Sequence, residues 1–295
     1  MRGAILVAFL ALTCTAAFAA PVVDDRGKAF DGATPARRVV ALAPHLAELL
    51  FHLGAGAALV GAVRGADHPA AAARAPNVGD AAGIDLERVL ALRPDLVLAW
   101  GSGNRASDLA RLEALGLRVF VNEPRVLDDV GRTLRRLGQL TGHARQGEDA
   151  ALEFETRLAA LKAPGGGTVR AFVQIWDRPL MTVSGAHLIS QVLNHCGGRN
   201  VFAGLPALAG SVSREAVLSA RPEAILVLAP PARARDWIAT WSAFEGMNGR
   251  AVVALDPDVL TRATPRLLRG VEQVCASIAA MQRASARDNA AAGRP

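Results

Sequence analysis

Short apolar runs alternate with amphipathic stretches along most of the chain after residue 37. Runs rich in Val, Leu and Ile, such as 96–100, predict strands buried on both faces of a sheet. Strands that alternate with helices predict a largely parallel sheet covered on both sides. The predicted strands are 38–42, 59–63, 96–100, 119–121, 169–174, 224–228 and 251–255, and the predicted helices are 46–53, 86–92, 105–115, 126–140, 188–196, 214–218, 237–241 and 265–281.

The segment 141–165 interrupts this alternation. It contains good helix formers and no strand signal, and Pro164 and the glycines after it would end a helix there. One helix of roughly 30 Å would fit this stretch. We therefore predict an α/β protein of two pseudo-symmetric lobes, with mostly parallel sheets joined by one long rigid α-helix. The predicted limits are 37–140 for the N-terminal lobe, 141–165 for the connecting helix and 168–285 for the C-terminal lobe.

A diverged internal repeat supports two equivalent lobes. Residues 84–98 resemble residues 212–226, with a constant offset of 128 residues and no gap. In both copies a capping residue, Asp85 or Ser213, opens a short helix, and an Arg-Pro pair ends it before a strand. Equivalent segments at one offset indicate that the two halves share a structural unit.

The first residues predict export. Arg2 precedes an apolar run at 4–12, and Ala17-Phe18-Ala19 forms a small-x-small cleavage site, so 1–19 reads as a secretory signal peptide and the protein as periplasmic. Cys14 raises a lipoprotein alternative, but Thr13 is bulkier than the residue usually found before a lipidated cysteine. The formal charge of +6 does not indicate nucleic-acid binding, because the arginines are scattered among acidic residues.

Two cysteines, Cys196 and Cys275, remain after cleavage at this site. In an oxidising compartment two cysteines indicate one disulfide, and a loop of this length allows at most about 4–5 kcal/mol of stabilisation. Two buried free thiols are the alternative.

A family resemblance is carried by four segments, 85–104, 191–202, 212–222 and 262–266. With these segments, the chain resembles the cobalamin-binding periplasmic proteins of ABC importers over residues 38–278. In that family a rigid helix joins the two lobes. The resemblance implies a corrinoid held between the lobes and delivered to an inner-membrane permease with its ATPase, by a monomer with no cofactor and no enzymatic activity. It also implies that the two cysteines pair.

The resemblance also implies ligand contacts. Trp100 matches a tryptophan that packs on the corrin ring, and Asp258 and Arg262 match polar residues that reach the corrin amides. Trp176 follows a strand where the family lines the cleft, although the family has no tryptophan there. A core position for Trp100 and an exposed ion pair between Asp258 and Arg262 are the alternatives.

Glu87 and Glu215 occupy equivalent positions in the repeat. They match the glutamates, one per lobe, that dock on the permease. A glutamate at the second position of a helix also complements the helix dipole, which is the alternative role. Their occurrence as a repeated pair favours docking.

Three features depart from the family. Ala81 stands where the family has a second cleft tryptophan, Val259 replaces another aromatic residue, and the chain has no tyrosine. Fewer aromatic contacts leave room for a corrinoid precursor, haem or a siderophore as the ligand. The absence of tyrosine, a common haem ligand in such receptors, counts against haem.

His45, Glu48 and His52 recur at helical spacing and could share one face. His45 follows a strand near the expected cleft and could bind a cobalt or iron atom axially. A metal-dependent hydrolase built on the three residues is a distant alternative, since the chain has no nucleophile elbow, zincin helix or dinucleotide fingerprint. We therefore predict no catalytic residue and no metal site.

Overall fold

The computed structural model describes residues 21–80, 82–161, 168–244 and 250–292, with side chains up to residue 287. The predicted signal peptide with Cys14, the substituted position Ala81 and the predicted helix end at 162–165 lie outside these residues. The strands are β1 (Val22–Val23), β2 (Ala29–Phe30), β3 (Val39–Ala41), β4 (Leu59–Ala62), β5 (Gly79–Asp80), β6 (Gly83–Ile84), β7 (Leu96–Trp100), β8 (Val119–Asn122), β9 (Val169–Gln174), β10 (Trp176–Asp177), β11 (Leu180–Val183), β12 (Gly198–Asn200), β13 (Ala209–Ser211), β14 (Ala224–Leu228) and β15 (Ala251–Leu255).

Helices cover both sheets and connect the lobes. They are α1 (Pro44–His52), α2 (Leu86–Ala91), α3 (Ala106–Ala114), α4 (Asp129–Thr141), α5 (Ala144–Ala160), α6 (Leu188–His195), α7 (Arg214–Ser219), α8 (Pro231–Ser242), α9 (Pro257–Leu260) and α10 (Leu267–Ala292). Among the described residues, no helix combines the length and the apolar character needed to cross a bilayer.

Two parallel four-stranded sheets form the two lobes, and they share one topology. The first has the strand order β4-β3-β7-β8 and the second β12-β9-β14-β15. In chain order, each sheet places its first strand between its second and third. The inner strands are apolar and buried, as expected for parallel sheets with helices on both faces. The predicted α/β fold of two lobes is confirmed.

The internal repeat appears as the same local structure in both lobes. Arg93 and Arg221 have φ angles of 45° and 46°, and they are the non-glycine residues with positive φ in the described chain. Arg38 caps the carbonyl of Leu92 in the first lobe, and Arg170 caps that of Ala220 in the second. Asp95 also accepts the backbone N–H of Arg38, and Glu223 accepts that of Arg170. The two lobes therefore have the same local structure and the same arginine contacts at the base of their sheets.

The connecting helix differs in detail from the prediction. Gly142 ends α4 in a left-handed conformation, with a φ of 75°, so the helix that follows starts at Ala144 and not at residue 141. A seventeen-residue helix is about 25 Å long. Gly138 and Gly147 let α4 and α5 approach closely, because a Cβ at Gly147 would lie 2.7 Å from the Leu134 carbonyl.

A disulfide joins Cys196 and Cys275 and confirms the predicted pair. It links the end of α6 to α10. Cys275 Sγ also lies 3.3 Å from the carbonyl of Leu161, at the end of α5. His195 bonds the carbonyl of Leu158 on that helix at 3.1 Å. The disulfide therefore lies where α6 and α10 of the second lobe meet α5, the connecting helix.

A short antiparallel hairpin precedes the first lobe at 22–30. The backbone N–H of Asp25 bonds the carbonyl of Val121 in β8, and Arg136 of α4 donates to the Asp25 carboxylate. The hairpin therefore packs on the first lobe, ahead of residue 37 where the predicted lobe begins.

Candidate functional site

A cavity of about 210 Å³ lies between the two lobes. Residues 186–188 and Leu208 of its wall flank the antiparallel strands β11 and β13. The other wall residues lie at or after the carboxyl ends of parallel strands, where ligands bind in open α/β sheets. In the first lobe these are the turn after β3, the end of β7 and the turn after β8. The lining residues are His45, Trp100, Ser102, Glu123, Pro124 and Arg125 from the first lobe, and Ala186, His187, Leu188, Leu208, Leu260, Thr261 and Ala263 from the second.

Trp100 ends β7 and forms part of the first-lobe wall. A Cβ at Gly103 would lie 1.9 Å from the indole, so only glycine at that position allows this ring orientation. Asn104 accepts the Trp100 backbone N–H at 2.7 Å and donates to the Leu42 carbonyl, which fixes the turn below the ring. Trp100 thus lines the cavity, and its contact with a corrin ring stays a prediction.

His45 packs edge-on against Trp100, with 5.5 Å between the ring centroids. Its Nε2 lies 3.2 Å from Asn122 Oδ1, while the Asn122 amide nitrogen donates to Thr133 Oγ1. Asn122 Oδ1 is therefore an acceptor, so Nε2 carries the proton of the neutral ring and Nδ1 does not. Burial lowers the pKa of His45 to about 4, and the charge of Arg262 also lowers it, against the opposing effects of Asn122 and Glu48.

His187 forms part of the second-lobe wall. It is the N-cap of α6, and its Nδ1 accepts the backbone N–H of Ile189 at 3.2 Å. Burial and then the charge of Arg125 lower the pKa of His187 to about 4. Sequence reasoning misses His187, because a lone histidine has no ligand spacing. Its one available signal was its place at the start of a helix, after a strand of the second lobe.

A buried clasp joins the lobes beside this cavity. Arg266 of the second lobe donates from Nε and Nη2 to both oxygens of Glu48, at 2.8 Å each, and Thr264 donates to Glu48 Oε1 at 2.6 Å. Burial raises the pKa of Glu48, but the bonds from Arg266 and Thr264 outweigh it and hold that pKa below its ordinary value. Bidentate pairing of this kind fixes the relative position of the two elements.

The clasp removes the basis for the three-residue metal site. Glu48 is engaged by Arg266 and Thr264, His45 is bonded to Asn122, and His52 is exposed on a different cavity. Within the described residues, no group of three or more histidine, cysteine, aspartate or glutamate side chains could hold a metal ion. The structure therefore does not bring these three residues together as the metal site on which the hydrolase alternative was built.

Arg262 and Asp258 lie next to the cavity but do not line it. Arg262 is mostly buried and donates to Asp67 of the first lobe at 2.9 Å. Its Nη2 lies 3.5 Å from Asp258, and its Nη1 lies 3.8 Å from Glu48. Asp258 itself is exposed at the start of α9. Arg262 therefore adds a second ionic link between the lobes.

Trp176 is not part of the cavity wall. Its side chain is 45% exposed and its ring lies under Arg233, with the guanidinium carbon 5.3 Å from the centroid. Its indole N–H donates to the carbonyl of Arg178 at 3.2 Å. This short antiparallel strand turns the ring outward, so the expectation that Trp176 lines the cleft is wrong for this structure.

Glu87 and Glu215 are exposed at the second residue of α2 and α7. Asp85 caps the first helix through a bond to the Arg88 N–H at 2.9 Å, and Ser213 caps the second through the Ala216 N–H at 3.1 Å. The two glutamates therefore stand in equivalent local structures on the two lobes.

A second cavity of about 390 Å³ adjoins the first on the N-terminal lobe. Ser102, Glu123 and Arg125 line both cavities. Its lining combines apolar residues of α3 and β8 with the charged residues Asp25, Arg26 and Glu113. The cleft is thus continuous with a larger hollow on one lobe.

Comparisons with known proteins agree with this architecture. The family model described as periplasmic binding protein matches residues 39–248. The vitamin B12-binding protein of Pectobacterium carotovorum is 34% identical over 275 residues, which covers 92% of this chain and 93% of that relative. The crystal structure of the periplasmic vitamin B12-binding protein BtuF of Vibrio cholerae is similar with a TM-score of 0.77 and 33% identity, covering 84% of this chain and 98% of that one.

Haem-binding proteins share the architecture at lower similarity. A periplasmic haem-binding protein from Pseudomonas aeruginosa gives a TM-score of 0.66 and 25% identity, covering 82% of this chain and 92% of that one. The family match spans both lobes and the helix between them. This chain therefore belongs to the periplasmic binding protein family.

Proposed function

We propose that the protein captures cobalamin or a related corrinoid between its lobes and delivers it to an ABC-importer permease. The observation that carries the proposal is the inter-lobe cavity with Trp100 on its wall, in a chain 34% identical to a vitamin B12-binding protein over nearly its whole length. A flat aromatic face suits a large planar ring. Binding, and not turnover, is the activity we propose.

Ligand entry requires the lobes to separate. The cavity of about 210 Å³ is smaller than ordinary ligand pockets, which enclose about 300–1,000 Å³. Separation would break the contact between Arg262 and Asp67, and would allow Arg262 and Asp258 to reach the ligand's amide groups. Trp100 would pack on the ring, with His45 beneath Trp100 holding its orientation.

The remaining assignments belong to the same proposal. The segment 1–19 directs export and is removed, so the mature protein acts in the periplasm as a monomer without a cofactor. Glu87 and Glu215 dock on the permease, and a separate ATPase drives transport. Their exposed, equivalent positions on capped helices support this role.

Calorimetric titration of the mature protein with cyanocobalamin, cobinamide and haemin tests the ligand. We expect tight one-to-one corrinoid binding. Trp100→Leu should weaken it at least tenfold by removing the stacking face, whereas Trp176→Leu, which removes an exposed indole outside the cavity, should leave it unchanged. No heat with either corrinoid would refute the proposed ligand.

Uptake in cells that depend on this protein tests docking. A Glu87→Ala/Glu215→Ala protein should bind the corrinoid normally and fail to support uptake. The matched control is Glu153→Ala/Glu272→Ala, which removes two exposed helical glutamates on other surfaces. Normal uptake by the first double variant would refute the docking assignment.

Haem is the second candidate ligand. The neutral His45 carries its proton on Nε2, so Nδ1 is the nitrogen able to bind a metal axially. The haem-binding proteins support this alternative, but they are less similar to this chain than the vitamin B12-binding proteins are. Binding of haemin but no corrinoid, with an absorption band lost in His45→Ala, would favour haem.

A further inference from the structure

Arg125 and His187 reach the inter-lobe cavity from opposite lobes. We propose that they form a subsite for an anionic oxygen group of the ligand, a phosphodiester or a carboxylate. The inference rests on the proposed function and specifies which ligand that cleft selects. Neither residue belongs to the segments that carried the family resemblance.

Arg125 lies where the cleft opens into the larger hollow on the first lobe. Its side chain is 49% exposed, and its Nε lies 3.0 Å from Glu123 Oε1. Among the described residues, Glu123 is the one acidic side chain within ion-pair distance of it. The pairing through Nε holds the planar guanidinium in place, and its outer edge is the part best suited to a bidentate contact with an oxyanion.

His187 can act toward the ligand only as a donor while it is neutral. Its Nδ1 accepts the Ile189 N–H, so the proton is on Nε2. Burial and the nearby Arg125 lower its pKa, so the ring is neutral at physiological pH. A ligand that bonds to Nε2–H must therefore offer an acceptor. Metal binding through Nε2 would place the proton on Nδ1, against the N–H of Ile189.

The acidic groups near this pair already have partners. Glu123 Oε2 accepts the Ser102 N–H at 2.6 Å, and its other oxygen pairs with Arg125. Asp25 pairs with Arg136 and accepts the Glu123 N–H at 2.6 Å. On the rim of the adjoining hollow, Glu113 pairs with Arg26 and Lys28. A guanidinium and an N–H donor therefore face the cavity together, and an oxygen group with lone pairs and negative charge complements both.

Two ligand sources provide this chemistry. A complete cobalamin carries a phosphodiester in the nucleotide loop attached to a corrin side chain, whereas cobinamide has no phosphate and carries only neutral amides and a hydroxyl. Haem carries two carboxylates. The hollow next to Arg125 would give the nucleotide room beside the corrin, which favours the phosphodiester.

Titration of the wild type and four variants with cyanocobalamin, dicyanocobinamide and haemin tests the subsite. The wild type should bind cyanocobalamin at least fivefold more tightly than dicyanocobinamide. Arg125→Gln and His187→Gln should each remove most of that preference by weakening cyanocobalamin alone, and Arg125→Lys should retain part of it. Arg178→Gln, a change at an exposed arginine outside the cavity, is the control and should retain all of it.

The outcomes separate the subsite from the proposed function. Corrinoid binding without a preference, or an equal loss for both corrinoids in the variants, overturns the subsite and leaves the function standing. If the wild type binds haemin but no corrinoid, and Arg125→Gln and His187→Gln weaken haemin binding, the subsite stands as a carboxylate site. The corrinoid function is then overturned. A protein that binds none of the three ligands overturns both.

Discussion

The two lobes share a scaffold but not a cleft wall. Both have the same strand order, the same arginine cap at the base of the sheet and the same positive φ angle after the repeated helix. The first lobe lines the cavity with a tryptophan above a buried histidine. The second lobe lines it with a helix N-terminus and the segment 260–263, and it adds the antiparallel sheet β10-β11-β13. The two lobes therefore share their strand order and the contacts at the base of the sheet, but they line the cavity with different residues.

Covalent reinforcement is the largest difference between the lobes. The disulfide Cys196–Cys275 closes a loop across the second lobe, whereas residues 37–140 of the first lobe contain no cysteine. Cys196→Ala/Cys275→Ala should lower the free energy of unfolding by up to about 4 kcal/mol, measured by urea denaturation. The reductant-treated wild type should match the variant, and the variant itself should not respond to reductant. A loss below about 1 kcal/mol would show that helix packing, without the disulfide, is enough to keep α6 and α10 together.

The Glu48 clasp couples the two lobes. Glu48→Gln leaves the Arg266 guanidinium without its carboxylate, and breaking a buried pair in this way costs about 3 kcal/mol. We expect that loss in urea denaturation, together with a larger radius of gyration in small-angle scattering, because the lobes separate more readily.

Asp67→Asn is the matched control for the clasp. It removes the exposed partner of Arg262 at the same interface, where exposed pairs contribute at most about 1 kcal/mol. Equal losses in the two variants would contradict the view that burial makes the Glu48 clasp the main inter-lobe link.

The buried histidine of the first lobe makes stability depend on pH. The unfolded chain takes up a proton at His45 near pH 6.5, whereas the folded protein does so only near pH 4. Stability is therefore lost as the pH falls through this window, by at most about 3 kcal/mol for this group. His45→Gln should reduce the dependence of unfolding free energy on pH between 6.5 and 4 and leave the part that comes from His187, whose pKa is also lowered to about 4.

His52→Gln is the control for this pH effect. His52 lies on the same helix and is exposed, so its replacement should leave the wild-type slope. An unchanged slope in His45→Gln would mean that another group, such as His187, dominates the loss of stability on acidification.

The strands and helices of the two lobes were predicted well from the sequence, because they depend on local patterns of apolar residues and turns. The strands 96–100, 169–174, 224–228 and 251–255 were predicted with their observed limits, since continuous apolar runs bounded by turns define them. The start of the connecting helix was misplaced because Gly142 supplied a C-cap inside a stretch of good helix formers. Two-residue strands such as β1 and β10 have too little pattern to be recognised.

The cleft was less predictable because its contacts join distant parts of the chain. Arg262 bonds Asp67 across 195 residues, a partnership that no spacing reveals. His187 enters the wall as a helix cap, and a single histidine gives no periodic signal. Trp176 followed a strand as predicted, but the strand pairing turned its ring outward.

The repeated helix caps offer the finest comparison of the two lobes. Asp85 and Ser213 occupy the same position and make the same bond to the third backbone N–H of their helices. Asp85→Ala and Ser213→Ala should each lower the unfolding free energy by about 1 kcal/mol. Glycine at either position should lower it by only about 0.3 kcal/mol, because glycine is itself a favourable N-cap residue. Paired urea titrations of the four variants measure this. Equal costs would mean that the repeat still performs one structural task in both lobes. A cost confined to Asp85 would mean that the disulfide-linked lobe no longer depends on its cap.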